Sequence, residues 1–188
     1  MPSRVPLVTA AFLSALVGQA ATASGVALAP GTVTRTVAHK PKPTNLKKSA
    51  DLWATINVCD TEQHPNTIGV RGSMPGLGNR RSHLALRIVV QYKSKTDGKW
   101  HSGGAGADSG WKRIGTTLRQ VIESGQNFTF KPPTDGGSHL LRGSVRFRWS
   151  RHGKVVTERR RVTEAGHKTT AGADPKRYSA AQCEITSP

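Results

Sequence analysis

Between positions 84 and 92 every second residue is a large apolar side chain: Leu84, Leu86, Ile88, Val90 and Tyr92 alternate with Ala85, Arg87, Val89 and Gln91. A period of two sends successive side chains to opposite faces of an extended chain, so this segment predicts a strand with one buried face and not a helix. The alternation recurs from 52, where Leu52, Ala54, Ile56 and Val58 share a face, and over 143–150, where Val145, Phe147 and Trp149 point one way and Arg146 and Arg148 the other. Further strands are expected at 67–72, 111–114, 127–131, 154–162 and 182–185, while 117–123 reads as a short helical turn. Asp97-Gly98 and His152-Gly153 read as hairpin turns. Seven or eight short strands separated by Gly, Pro and Asp predict an all-β chain, folded as a single antiparallel β-sandwich.

The chain opens with one basic residue, Arg4, then an apolar run over 5–17, then Ala20-Ala21-Thr22-Ala23-Ser24. A basic start, a short apolar stretch and a small-x-small site are the parts of a cleavable export signal, with cleavage expected after Ala23. The run is shorter than the roughly 20 residues needed to cross a bilayer, which argues against a retained anchor. No later segment is apolar enough to span, so the mature chain is expected outside the cytoplasm, secreted or held at the cell envelope, with no transmembrane segment.

Two cysteines, Cys59 and Cys183, stand in this exported chain. That count predicts one disulfide, which would tie the first strand of the domain to its last.

Removing residues 1–23 takes away one Arg and no acid, so 28 Lys+Arg become 27 against 11 Asp+Glu, a formal +16. Such an excess favours anionic partners without choosing among them. Residues 24–50 carry Arg35, Lys40, Lys42, Lys47 and Lys48 and no acid. With few apolar residues and a Lys-Pro-Lys-Pro run, they read as a flexible basic linker. The organisation expected is therefore a signal peptide over 1–23, a linker over 24–50 and a β-sandwich domain over 51–188.

The strand pattern, with Phe147-Arg148-Trp149 followed by a Gly153 hairpin, resembles the immunoglobulin and fibronectin type III group of extracellular domains over about 51–162. The cysteines depart from the antibody arrangement, since Cys59 lies at the start of the domain and Cys183 beyond 162. The start Leu52-Trp53-Ala54-Thr55-Ile56-Asn57-Val58-Cys59-Asp60 is similar to that of secreted bacterial proteins. Those resemblances imply a sandwich fold and export, and they imply no activity.

No catalytic motif is present: there is no Gly-x-Ser-x-Gly, no His-Glu-x-x-His, no phosphate-binding Gly-Lys-Ser/Thr and no Gly-x-Gly-x-x-Gly after a strand. The seven His are scattered and never at a paired metal spacing. The tetrapeptide Ala-Gly-Ala-Asp occurs at 105–108 and 171–174, but each loop offers one carboxylate where calcium takes six to eight oxygens. No catalytic residue, metal or cofactor is assigned. Trp53 and Trp111 read as core cover, with stacking on sugar rings as the alternative.

The positive signal is a band of cations. Arg142, Arg146 and Arg148 project opposite Val145, Phe147 and Trp149, and Arg151, Lys154, Arg159, Arg160 and Arg161 follow on the hairpin. Guanidinium groups in a row suit bidentate contact with carboxylate, sulfate or phosphate. The expected function is a monomeric, non-enzymatic binding or adhesion module for an anionic polysaccharide or envelope polymer. Nucleic acid is disfavoured because the aromatics look internal. The alternatives are an enzyme whose site gathers distant His and carboxylates, and a protein-binding or inhibitor-like module acting through loops at 72–81 or 103–110.

Overall fold

The computed structural model describes residues 46, 48–78, 81–118, 121–134 and 136–187. The chain divides into two units, Met1–His39 and Lys40–Pro188, and every described residue belongs to the second. The expected signal peptide lies outside the described residues, as does the linker apart from 46 and 48–50.

Among the described residues nine antiparallel strands form two sheets. The first sheet has the order β1 (Trp53–Cys59), β2 (Thr67–Pro75), β6 (Val121–Thr129). The second is built on the long central pair β3 (Ser82–Lys93) and β7 (Ser138–Arg151), which stay in register from Ser82↔Arg151 to Tyr92↔Leu141. On the far side of β3 lie β4 (Trp100–Ser102) and β5 (Lys112–Thr116); on the far side of β7 lie β8 (Lys154–Val162) and β9 (Cys183–Thr186). The expected all-β sandwich is what forms, with no α-helix among the described residues. No helix there is long and apolar enough to cross a membrane.

The alternation in the sequence is the alternation of burial. Leu84, Leu86, Ile88 and Val90 of β3 and Val145, Phe147 and Trp149 of β7 face Ile56, Ile68, Val70 and Met74 across the core, all essentially inaccessible to solvent. Burying a side chain of this size contributes about 1.5–3 kcal/mol against leaving it exposed. Trp149 hands its indole N–H to Pro75 O at 2.9 Å, so the deepest aromatic leaves no donor unpaired. A Cβ at Gly72 would stand 2.9 Å from the Phe147 ring, so the missing side chain is what lets Phe147 lie against β2. The His152-Gly153 turn has positive φ at both residues, 49° and 74°, the two-residue hairpin geometry whose twist matches that of the strands.

The helical turn expected at 117–123 does not form among the described residues, and nine strands stand where seven or eight were expected, β4 being the addition. Residues 117–118 are a turn, and β6 begins at Val121. Tertiary pairing decides this segment, since Val121 to Thr129 matches β2 residue for residue from Pro75 to Thr67.

Residues 163–182, between β8 and β9, run along the outer edge of β1. Glu164 N donates to Ala54 O at 2.8 Å, Ile56 and Ala180 exchange N–H···O bonds at 3.0 Å, and Asp174 N donates to Asn57 O at 2.8 Å. The strap pairs backbone groups that an edge strand would otherwise present to another chain. Its end is fixed by the disulfide Cys59–Cys183, Cα–Cα 5.5 Å, which joins β1 of one sheet to β9 of the other. First and last strands are tied as the cysteine count predicts.

Candidate anion-binding face

Because β3 and β7 bury one set of alternate side chains, the other set stands on the outside of the second sheet, and β8 extends it. Arg87, Arg146 and Arg160 sit opposite one another across β3, β7 and β8. Like charges placed opposite each other in a ladder destabilise it unless something intervenes. Two carboxylates do. Asp108, delivered by the loop between β4 and β5, receives Arg87 Nε at 2.8 Å and Arg87 Nη2 in a shorter contact. Glu158 of β8 receives Arg148 Nε at 2.5 Å and Arg146 Nη2 at 3.2 Å.

These contacts bias the ionisation of the two carboxyls. The Arg87 hydrogen bond, against a burial effect of opposite sign, holds the Asp108 carboxyl below its ordinary value. Burial alone would raise Glu158, but bonds from Arg148 and Arg146 outweigh it and the carboxyl also ends below its usual range. Trp111, in the same loop as Asp108, lies flat beneath the cations, with Arg148 3.6 Å and Arg146 5.6 Å from its ring centroid. An arginine over an aromatic face adds about 0.5–1 kcal/mol where water still reaches it.

Arg142 and Arg160 complete the face differently. Arg142 Nε donates to Gln91 Oε1 at 3.0 Å and its guanidinium lies 4.2 Å from the Trp100 centroid. Arg160 Nε donates to Ser144 Oγ at 2.8 Å. Both use neutral acceptors, and no described carboxylate pairs with either. Desolvation, followed by repulsion from Arg160, lowers the pKa of Arg142 from its ordinary value. Arg142 is thus a partly desolvated cation with no described carboxylate partner, a state that an added anion would relieve.

The expected band of eight cations is divided by the pleat. Arg142, Arg146, Arg148 and Arg160 share the outer face. Arg159 and Arg161 point the other way, opposite the core residues Phe147 and Val145. Arg161 reaches across the sandwich edge to Leu52 O at 3.0 Å, and Arg159 Nη1 donates to Glu158 O at 2.6 Å while its buried Nε finds no partner. Arg151 and Lys154 flank the hairpin tip, exposed. Residues the sequence did not single out for this face are Arg87, Gln91, Trp100, Asp108 and Glu158.

Trp53 and Trp111 are not core. Of the four Trp only Trp149 is buried inside; Trp53 stacks on His167 at 4.1 Å on the outer side of β1. Large rings are covered here by cations and imidazole from neighbouring segments, so their size did not require the interior. Asp108 and Asp174, ends of the repeated tetrapeptide, have separate partners, Arg87 and Thr61. No group of three or more His, Cys, Asp or Glu among the described residues is placed to hold a metal ion.

No family model matches the chain. No curated protein matches it either. Among solved structures it is similar to a Bacteroides fragilis protein provisionally named a beta-galactosidase, with 12% identity over 60% of this chain and 16% of that one at a TM-score of 0.29. It is also similar to Spo0M, a sporulation control protein from Bacillus subtilis, with 13% identity over 58% of this chain and 46% of that one at a TM-score of 0.24. The chain therefore spans less than half the length of either, and likenesses at this level carry no argument.

Proposed function

We propose that this is a secreted, non-enzymatic binding module whose outer sheet face holds an anionic polysaccharide or envelope polymer. The observation that carries the reading is that Arg142 and Arg160 stand on one sheet face, each bonded to a neutral acceptor with no described carboxylate paired to it. Trp100 beside Arg142 offers an apolar plate to a sugar ring next to the charge. Export rests on the leader at 1–23 and agrees with a disulfide-closed domain. An immunoglobulin-like reading of the sandwich is supported by strand order: β1-β2-β6 against β3-β7-β8 corresponds to strands A, B, E against C, F, G. The protein acts as a monomer in this reading.

Retention on immobilised dextran sulfate and on polygalacturonate, followed across a salt series, tests the proposal. Binding that weakens steeply with salt, and an earlier elution for Arg142→Gln with Arg160→Gln, is the expected result. Absence of retention at low salt, or retention unchanged in that double variant, would remove the face from consideration.

A further inference from the structure

At one end of the sandwich the two sheets part. β3 and β7 run on past the last pair of the opposite sheet, Thr67↔Thr129, and the chain leaves β6 through Phe130. Tyr92, the last inward position of β3, has no strand across from it and is 41% exposed, whereas Val90 two residues earlier is fully buried. The gap is a cleft of about 640 Å³ between the end of β3, the start of β7 and the connection after β6. That volume falls within the roughly 300–1,000 Å³ of sites for small organic ligands.

The chemistry of the lining is divided. Val90, Phe130 and Leu141, which also belong to or pack on the hydrophobic core, supply apolar wall, extended outward by Tyr92. Lys93, Lys95 and Lys131 are exposed lining residues, His139 stands among them, and no described lining residue is a carboxylate. An apolar recess with cations at its opening, and no carboxylate among its described lining residues, complements a molecule with an apolar body and one negative head. We propose that this cleft binds an anionic amphiphile, a single carboxylate on an aliphatic tail, with the tail against Val90, Phe130 and Leu141 and the head among the lysines. The site is separate from the Arg142–Arg160 face, which lies on the outside of the second sheet, and does not depend on it.

Sodium decanoate titrated into the full chain, with backbone amide shifts and calorimetry as readouts, tests this. One saturable site is expected, with shifts centred on 90–96 and 137–141. Acetate, which has the head alone, and decyltrimethylammonium, which has the tail with the opposite charge, should each bind at least about tenfold more weakly. Lys93→Glu with Lys95→Glu and Lys131→Glu should weaken decanoate by about tenfold or more, as should Tyr92→Ala at its exposed position. Equal binding of decyltrimethylammonium would overturn the role of charge, and equal binding of acetate the role of the apolar wall. Shifts in the unsubstituted protein clustering on Arg142, Arg146 and Arg160 would overturn the site, and that mapping holds even if a variant fails to fold.

Discussion

Arg148 and Glu158 face each other across the β7–β8 ladder, and Arg148 Nε donates to Glu158 Oε1 at 2.5 Å while the same guanidinium lies 3.6 Å from the Trp111 centroid. One carboxylate and one indole thereby hold a cation whose neighbours, Arg146 and Arg160, are cations too. Five guanidinium groups and two carboxylates share this face, so it is held together and left positive by the same residues.

Acid should act on this arrangement in a defined direction. Asp108 and Glu158 both have carboxyls held below their ordinary values in the folded protein. A group with a depressed folded pKa contributes stability that is complete above its unfolded value, near 4 for a carboxylate, and is lost as pH falls through the folded one. Thermal stability should therefore fall between about pH 5 and about pH 3, and fall less in Asp108→Asn with Glu158→Gln. Retention on dextran sulfate, whose sulfates stay ionised, should rise over the same window as Arg87, Arg146 and Arg148 are released. Melting temperatures and retention measured side by side check this; identical pH profiles for variant and parent would dissociate the carboxylates from both effects.

How far the sequence reaches is decided by the kind of force at work. Strands β3 and β7 were legible because core burial alternates their side chains, and 154–162, read from the His152-Gly153 turn that precedes it, was bounded correctly at both ends. The start of β6 was not, because Val121, Glu123 and Asn127 are exposed on an outer strand and carry no clean alternation. Arg159 and Arg161 were placed with Arg160 as a run, although period two alone separates them; once β8 is a strand its central Arg belongs to one face and the flanking pair to the other. The Asp108 contact was illegible for a different reason. It depends on a loop between β4 and β5 returning along β3, where Ser109 N donates to Ile88 O at 2.9 Å, and nothing local in the sequence specifies that return.

The disulfide joins residues 124 apart in sequence, and loop closure of that length corresponds to about 4–5 kcal/mol in the unfolded chain. Cys59→Ser with Cys183→Ser should lower unfolding stability by about 3–5 kcal/mol, read from urea denaturation, and reductant should reproduce the loss in the parent. A loss below about 1 kcal/mol would mean that the hydrogen bonds of 163–182 to β1 already hold the two sheets together without it.

Arg160 and Arg161 are adjacent in sequence and should separate in experiment. Arg160 stands on the outer face with Ser144 and near Arg142, and Arg161 spans the sandwich edge to Leu52 O at 3.0 Å. Removing the second leaves a backbone carbonyl at the sheet junction without that donor, a loss of about 1–2 kcal/mol for a charged donor in a partly buried position. Arg161→Ala should thus lower the urea midpoint while leaving salt elution from dextran sulfate close to that of the parent. Arg160→Gln should do the reverse, advancing elution while holding the midpoint or raising it slightly, because it removes one of the repelling cations beside Arg142. If both substitutions shift elution equally, the polymer reads net charge alone and the outer face has no special role; if only Arg160→Gln does, the pleat of β8 decides which arginines meet the ligand.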